Sequence, residues 1–223
     1  VSRIAENLAA VRRRIEVAAR RAGRSPEEVR ICAVTKRSGL PEIREAVAAG
    51  ACILGENRVQ EARPKIEAAS DLDVAWHMIG HLQRNKARVA VSLFDAIESV
   101  DSLALGRRLS DLGEERGRPV EVLAEVNTSG EEAKSGLPAD GAEEAVAALR
   151  ELPGLSVSGL MTMAPLTSDP APVRSCFRAL AELRERAGGA SALPVLSMGM
   201  TNDFEIAVEE GSTLVRVGTA IFG

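Results

Sequence analysis

Lys36 closes the apolar run Val29-Arg30-Ile31-Cys32-Ala33-Val34-Thr35-Lys36. A lysine at the end of a buried strand is a candidate nucleophile. Where it is desolvated it gives up its proton more easily and forms a Schiff base with a carbonyl. The plainer reading is a surface lysine that ends a strand. Two later stretches carry a different chemistry. Ser197-Met198-Gly199-Met200-Thr201-Asn202-Asp203 runs from a strand-like segment through a glycine into a helix start, and Arg216-Val217-Gly218-Thr219 repeats the theme. Glycines let backbone N–H groups approach a phosphate, helix N-termini favour anions, and the Ser197 and Thr219 hydroxyls add two donors. Ordinary turn and N-cap chemistry uses the same residues without any ligand. Arg216 itself interrupts an apolar segment, and burying a guanidinium is costly unless something accepts its N–H groups. The sequence leaves two acceptors open: a strand carboxylate such as Glu125, or a ring nitrogen of a ligand.

An amine, a phosphate anchor and a ring-nitrogen donor together make the constellation of a pyridoxal 5′-phosphate site. Lys36 would hold the aldehyde, Ser197, Gly218 and Thr219 the phosphate, and Arg216 the pyridine nitrogen. A guanidinium only donates, so the ring nitrogen would stay unprotonated and the ring would be a weaker electron sink. The chain contains no tyrosine, which excludes any mechanism that needs a tyrosine proton donor from the same chain.

These residues need a scaffold, and the patterning supplies one. Ile4, Leu8, Val11, Ile15, Ala18 and Ala22 recur at helical spacing ahead of Gly23, and Ser25-Pro26-Glu27-Glu28 reads as a capped turn. Strands are then predicted over 29–36, 51–55, 75–80, 93–98, 120–126, 155–161, 193–197 and 213–217. Helices are predicted over 40–49, 57–69, 81–91, 102–116, 138–152, 172–187 and 201–210, with a polar loop over 127–136. Eight strands separated by helices is the count of a (β/α)8 TIM barrel, here with an extra N-terminal helix that could cover the face left after the eighth strand. No linker-like stretch divides the chain, so residues 1–223 read as a single domain. A doubly wound sheet is disfavoured because the first strand is not followed by a G-x-G-x-x-G loop. The barrel reading collects Lys36, Asn57, Gly80-His81, Ser99, Asn127, Thr162, Ser197 and Gly218-Thr219 at one mouth, where such folds place their chemistry.

Composition narrows the function classes. Of 223 residues, 45% are hydrophobic and 27% charged, with a net charge of −4, which gives no basic footprint for nucleic acid. No apolar run is long enough for a membrane helix, and the start lacks a signal-peptide core. Cys32, Cys52 and Cys176 lack metal-ligand spacing and read as small buried hydrophobes of a reducing cytoplasm. His77 and His81 have no third ligand, so a metal site is not expected.

The motifs also carry a resemblance. Ala33-Val34-Thr35-Lys36, Gly55-Glu56-Asn57-Arg58-Val59-Gln60-Glu61, Trp76-His77-Met78-Ile79-Gly80-His81-Leu82-Gln83-Arg84-Asn85-Lys86, Lys134-Ser135-Gly136, Gly159-Leu160-Met161-Thr162-Met163, Ser197-Met198-Gly199-Met200-Thr201-Asn202-Asp203 and Arg216-Val217-Gly218-Thr219-Ala220-Ile221-Phe222-Gly223 look like motifs of the YggS/PROSC family, in family order along the whole chain. The resemblance implies a pyridoxal phosphate homeostasis protein on the barrel of the alanine racemase N-terminal domain. It implies an aldimine at Lys36, phosphate contacts from Ser197, Gly218 and Thr219 together with the Met200 backbone, Arg216 facing the ring nitrogen, and Asn57 close to the cofactor. Arg58 and Thr201 stand where the family usually has Tyr and Ser.

Three functions share these residues. The first is a monomeric cytoplasmic protein that holds the cofactor and passes it to pyridoxal-phosphate-dependent apo-enzymes, without a turnover of its own. The second is an amino-acid racemase of the related fold, which without a tyrosine would have to work with Lys36 alone. The third, a Schiff-base aldolase, would not need Arg216. The run from His81 to Lys86 is either a solvated basic face or a contact for a recipient protein.

Overall fold

The computed structural model describes residues 2–131 and 133–223, so Val1 and Glu132, the latter within the polar loop 127–136, lie outside the described residues. Its strands are β1 (Arg30–Val34), β2 (Ile53–Glu56), β3 (Ala75–Met78), β4 (Ala96–Val100), β5 (Val120–Asn127), β6 (Leu155–Met161), β7 (Val195–Ser197) and β8 (Leu214–Val217). All pair in parallel with their neighbours, and β8 returns to β1, with Arg30 opposite Leu214 and Ala33 opposite Val217. The ring is closed: this is the eight-stranded parallel barrel expected from the alternation of the sequence. A two-residue pairing, Leu137–Pro138, is added beside the end of β5.

Side chains alternate across each strand, so every second residue points into the barrel. Ile53, Ala75, Val195 and Leu214, the first residues of β2, β3, β7 and β8, gather with Cys32 and Ile79 into a small apolar cluster of their own. Two residues further along the same faces stand His77, Ser197 and Arg216, and Glu98 stands two beyond Ala96 on β4. A polar layer therefore lies directly above an apolar plug. The outward faces of the strands join the helices in the much larger outer core.

The helix α1 (Arg3–Arg21) buries Ile4, Leu8, Val11 and Ile15, and the Ser2 side chain caps it by accepting from the Ala5 N–H at 3.3 Å. It packs against the short helices Phe204–Glu209 and Thr219–Phe222, where Asn7 Nδ2 donates to the Ile221 carbonyl at 3.0 Å. The N-terminal helix thus covers the face after β8, as the sequence suggested.

Expectation and structure differ in several places, among them the helix predicted over 201–210, which begins at Phe204. The helix predicted over 81–91 begins as a single turn at Arg84–Lys86 and continues as Ala87–Leu93, because Gly80 and His81 are tied down: the Gly80 carbonyl accepts from Ser99 Oγ at 2.7 Å, and His81 Nδ1 lies 2.9 Å from Asp101 Oδ2. The strand predicted over 93–98 is displaced to Ala96–Val100, because Leu93 ends the preceding helix and Asp95 Oδ2 accepts from the Trp76 N–H at 2.7 Å. The helix predicted over 138–152 is reduced to Ala142–Arg150, since Leu137 and Pro138 extend the sheet first. Cys52, read as a buried hydrophobe, precedes β2 and is exposed, whereas Cys32 and Cys176 are buried.

Candidate functional site

Lys36 follows β1 at the mouth, on a peptide held from three directions. The Thr35 N–H donates to the Gly55 carbonyl at 2.9 Å, and Thr35 Oγ1 donates to Glu56 Oε1 at 2.7 Å. Lys65, from the helix Val59–Ala68, donates through Nζ both to the Thr35 carbonyl and to Glu56 Oε1, each at 2.7 Å. Thr35 and Glu56 are fully buried, so this anchor is dry. The Lys36 side chain beyond it is exposed and has no hydrogen-bond or ion-pair partner among the described residues. The expected desolvation is not met: the anchoring peptide is buried, but the amine is not.

Gly218 stands on the neighbouring strand end. A Cβ added there would sit 3.3 Å from Val34 Cβ, so the loop after β8 lies against the end of β1, next to Lys36. Thr219 is exposed at the start of its short helix. One strand further, Gly199 turns the chain with φ of +96°, a conformation favoured in glycine, and its carbonyl accepts from the Arg216 N–H at 2.9 Å. Asp203 Oδ1 then accepts from the Met200 N–H at 2.5 Å, bracing the turn that carries Thr201. On the other side of β1, Asn57 is half-buried at the end of β2, and its backbone abuts Gly80 so closely that a Cβ on Gly80 would fall 2.3 Å from the Asn57 carbonyl oxygen. Asn57, Lys36, Gly218-Thr219 with Arg216, and Ser197 therefore end or follow four consecutive strands of the ring, β2, β1, β8 and β7.

Beneath the mouth, the polar layer is one connected network. Arg216 Nη1 donates to Ser197 Oγ at 2.6 Å and Nη2 to the Thr162 carbonyl at 2.8 Å. Ser197 Oγ in turn donates to Glu98 Oε2 at 2.5 Å, and His77 Nδ1 lies 2.6 Å from Glu98 Oε1. Burial alone would push the Glu98 carboxyl up, but the His77 bond and charge, the Arg216 charge and the Ser197 bond together hold it below the ordinary carboxylate range. Burial raises the Cys32 thiol well above its usual value, with the Glu98 charge adding to the effect. The ion pair between Arg216 and Glu125 entertained from the sequence does not form; the guanidinium spends its bonds on Ser197 and Thr162. Ser197 also differs from expectation. It is fully buried, and its single hydroxyl hydrogen goes to Glu98, so its side chain faces inward to Arg216 instead of outward with Thr219.

Glu98, His77 and the Thr162 carbonyl are contributors that sequence reasoning missed. The signal for Glu98 was present as the two-residue alternation from Ala96, but only once the fourth strand is placed correctly. His77 and His81 face different carboxylates, Glu98 and Asp101.

Glu125, at the end of β5, is raised to about 7 by burial, with the Asp101 charge adding to it. The native state thus binds this proton more tightly than the unfolded chain, so the associated stability is present below the ordinary carboxylate range and lost as pH rises through about 7. Glu125→Gln stays neutral throughout. Chemical denaturation should show it gaining on the order of 2–3 kcal/mol relative to wild type between pH 4 and pH 8. A difference that does not vary with pH would refute this assignment.

The family model described as "Alanine racemase, N-terminal domain" matches residues 7–223. The chain is 41% identical over 220 residues to the pyridoxal phosphate homeostasis protein of Aquifex aeolicus, covering 98% of this chain and 96% of that one. It is 41% identical over 230 residues to the protein of the same name from Escherichia coli K12, covering 99% and 96%. Among solved structures, PipY of Synechococcus elongatus PCC7942 with PLP bound superposes with a TM-score of 0.84 at 40% identity, covering 99% of this chain and all of that one. An alanine racemase of Clostridium difficile 630 shares the fold, at a TM-score of 0.78 and 13% identity, with this chain covering 57% of it. With whole-chain relatives at this identity, and with Lys36, Arg216 and the β7 and β8 loops on adjoining strand ends, the chain belongs to the family of pyridoxal phosphate homeostasis proteins, built on the alanine racemase N-terminal domain.

Proposed function

We propose that this protein binds pyridoxal 5′-phosphate at the ends of β2, β1, β8 and β7, and that it serves to hold and release the cofactor without a dedicated turnover of substrate. The observation that carries this reading is Lys36: an exposed primary amine, unpaired among the described residues, on a rigidly anchored peptide beside Gly218 and next to the strand of Arg216. The 40%-identical PipY with PLP bound supports it. The residues fit the group. Bound pyridoxal phosphate supplies an aldehyde, which a primary amine captures reversibly with loss of water. Lys36 is that amine. The phosphate falls to the backbone N–H groups and hydroxyl of the Gly218-Thr219 turn and to Thr201, on the turn that Asp203 braces. Ser197 serves indirectly, through Arg216. Arg216 offers its remaining N–H groups to the ring nitrogen and withdraws none of its own protons. Asn57 flanks the cofactor from β2.

The same features argue against a racemase. Two-base racemisation in that fold needs a second acid or base on the face opposite the lysine, and this chain has no tyrosine to supply it. The likeness to alanine racemase is one of fold. We extend the reading to a monomer in the cytoplasm that passes the cofactor to pyridoxal-phosphate-dependent apo-enzymes.

Incubation with pyridoxal phosphate should give a visible absorption band. Borohydride followed by peptide mass spectrometry should then place one reduced adduct on Lys36. A protein that stays colourless and takes up none would end this reading; sustained alanine racemisation by the wild type would replace it with the second.

A further inference from the structure

The polar layer under the mouth contains more charge than cofactor binding requires. Glu98 is fully buried and His77 nearly so, and their hydrogen bonds run to each other and to Ser197, not to Lys36 or Gly218. A buried carboxylate is costly unless its charge is answered and its oxygens are bonded. Both conditions are met here by His77 together with one hydroxyl. A serine hydroxyl has a single hydrogen and accepts through its lone pairs, whereas a guanidinium can only donate. Ser197 can therefore receive Arg216 Nη1 at 2.6 Å only with its own hydrogen turned elsewhere, and Glu98 Oε2 at 2.5 Å takes that hydrogen. Glu98 Oε1 is fixed in turn at 2.6 Å from His77 Nδ1, which must be the donor because a carboxylate accepts. The polarity of the chain has one solution: His77 to Glu98, Ser197 to Glu98, Arg216 to Ser197. Opposite charges at Glu98 and Arg216 then neutralise each other across a single hydroxyl. Only two of the five guanidinium N–H groups are fixed, by Ser197 and the Thr162 carbonyl, and the rest remain for a ligand.

We propose that Glu98, oriented by His77, is a positioning residue for Arg216: acting through the Ser197 hydroxyl, it sets where the guanidinium presents its free N–H groups to the pyridine ring. The inference rests on the pyridoxal phosphate reading above for its ligand, but not for the internal relay. Glu98 touches neither cofactor nor substrate. Its effect is carried by a hydrogen-bond chain whose direction reverses, or breaks, once the carboxylate is replaced by an amide that can donate to Ser197.

The test combines Glu98→Gln and Ser197→Ala with Arg216→Met, singly and paired. Glu98→Gln and Ser197→Ala should each weaken pyridoxal phosphate binding about tenfold, about 1.4 kcal/mol, and displace the visible band. In the Arg216→Met background Glu98→Gln should change the Kd less than twofold, because the residue it positions is gone. In the ligand-free protein, nitrogen-15 spectra of arginine side chains should show Arg216 N–H signals that are protected in the wild type and lost in both variants. Should Glu98→Gln fail to fold, Ser197→Ala cuts the same link and decides alone. A Kd and band unchanged by Glu98→Gln, a full tenfold effect persisting without Arg216, or undisturbed Arg216 signals would each overturn the proposal. If the wild type takes up no pyridoxal phosphate, the functional reading fails, and the ligand-free spectra still decide whether Glu98 holds Arg216.

Discussion

Lys36→Ala is expected to abolish covalent capture of pyridoxal phosphate, leaving no borohydride-stable adduct, and to weaken retention by a hundredfold or more, about 2.8 kcal/mol. The expectation follows from what surrounds the residue. The Lys36 side chain makes no hydrogen bond or ion pair among the described residues, so its loss removes chemistry and little else. The variant should unfold within about 0.5 kcal/mol of wild type, as an exposed truncation does. Lys36→Arg sharpens the case: it keeps the positive charge that would attract a phosphate, but a guanidinium does not condense with an aldehyde at neutral pH. Equilibrium dialysis and borohydride trapping of all three proteins separate attraction from capture. An undiminished adduct in Lys36→Ala would assign the role to another lysine.

Lys65→Met should cost about 3 kcal/mol in stability and loosen the cofactor as well. Glu56 is fully buried, its Oε1 accepts from both Lys65 and Thr35, and its Oε2 has no partner among the described residues. Taking Lys65 away leaves a carboxylate in a dry layer with one hydroxyl for company. It also frees the Thr35 carbonyl, the acceptor immediately before Lys36. Replacing both partners by apolar residues, as Glu56→Leu with Lys65→Met, should restore most of the stability, because no charge is then left unanswered. It should not restore affinity, since the peptide that aims Lys36 has still lost its tether. Urea denaturation and binding measured on the wild type and the two variants separate the two roles. If affinity returns with stability, Lys65 has no part in aiming Lys36.

What the sequence disclosed, and what it did not, divides along the direction in which side chains point. Lys36, Gly218 and Thr219 sit at strand ends bounded by clear patterns, so the barrel reading was enough to bring them to one mouth. The seventh and eighth strands came out within two residues of their places for the same reason. Glu98 was passed over because the predicted fourth strand, 93–98, began three residues early, so Glu98 stood at its end and not in its middle. Ala96-Ile97-Glu98-Ser99-Val100 is buried at every position, and two of its five residues are polar, so the apolar weight lies in Leu93 and Phe94 just before it. Ser197 was found, and in the structure its hydroxyl bonds Glu98 and Arg216. Its hydroxyl suits a phosphate as well as a buried arginine, and only its inward direction distinguishes the two. Cys52 erred the other way: an apolar neighbourhood in the sequence does not bury a residue that falls ahead of its strand.

The pairing of β8 with β1 has a consequence for how the protein comes into being. Lys36 precedes Arg216, Gly218 and Thr219 by some 180 residues of chain, and they become its neighbours only when β8 lies down between β7 and β1. The tie between Asn7 and Ile221 spans 214 positions and forms no sooner. Contacts of such separation are slow to form, because the loop must close before they reward it. Until then the folding chain has an amine with no site around it. The proposed site around Lys36 is therefore complete only once β8 has closed the ring.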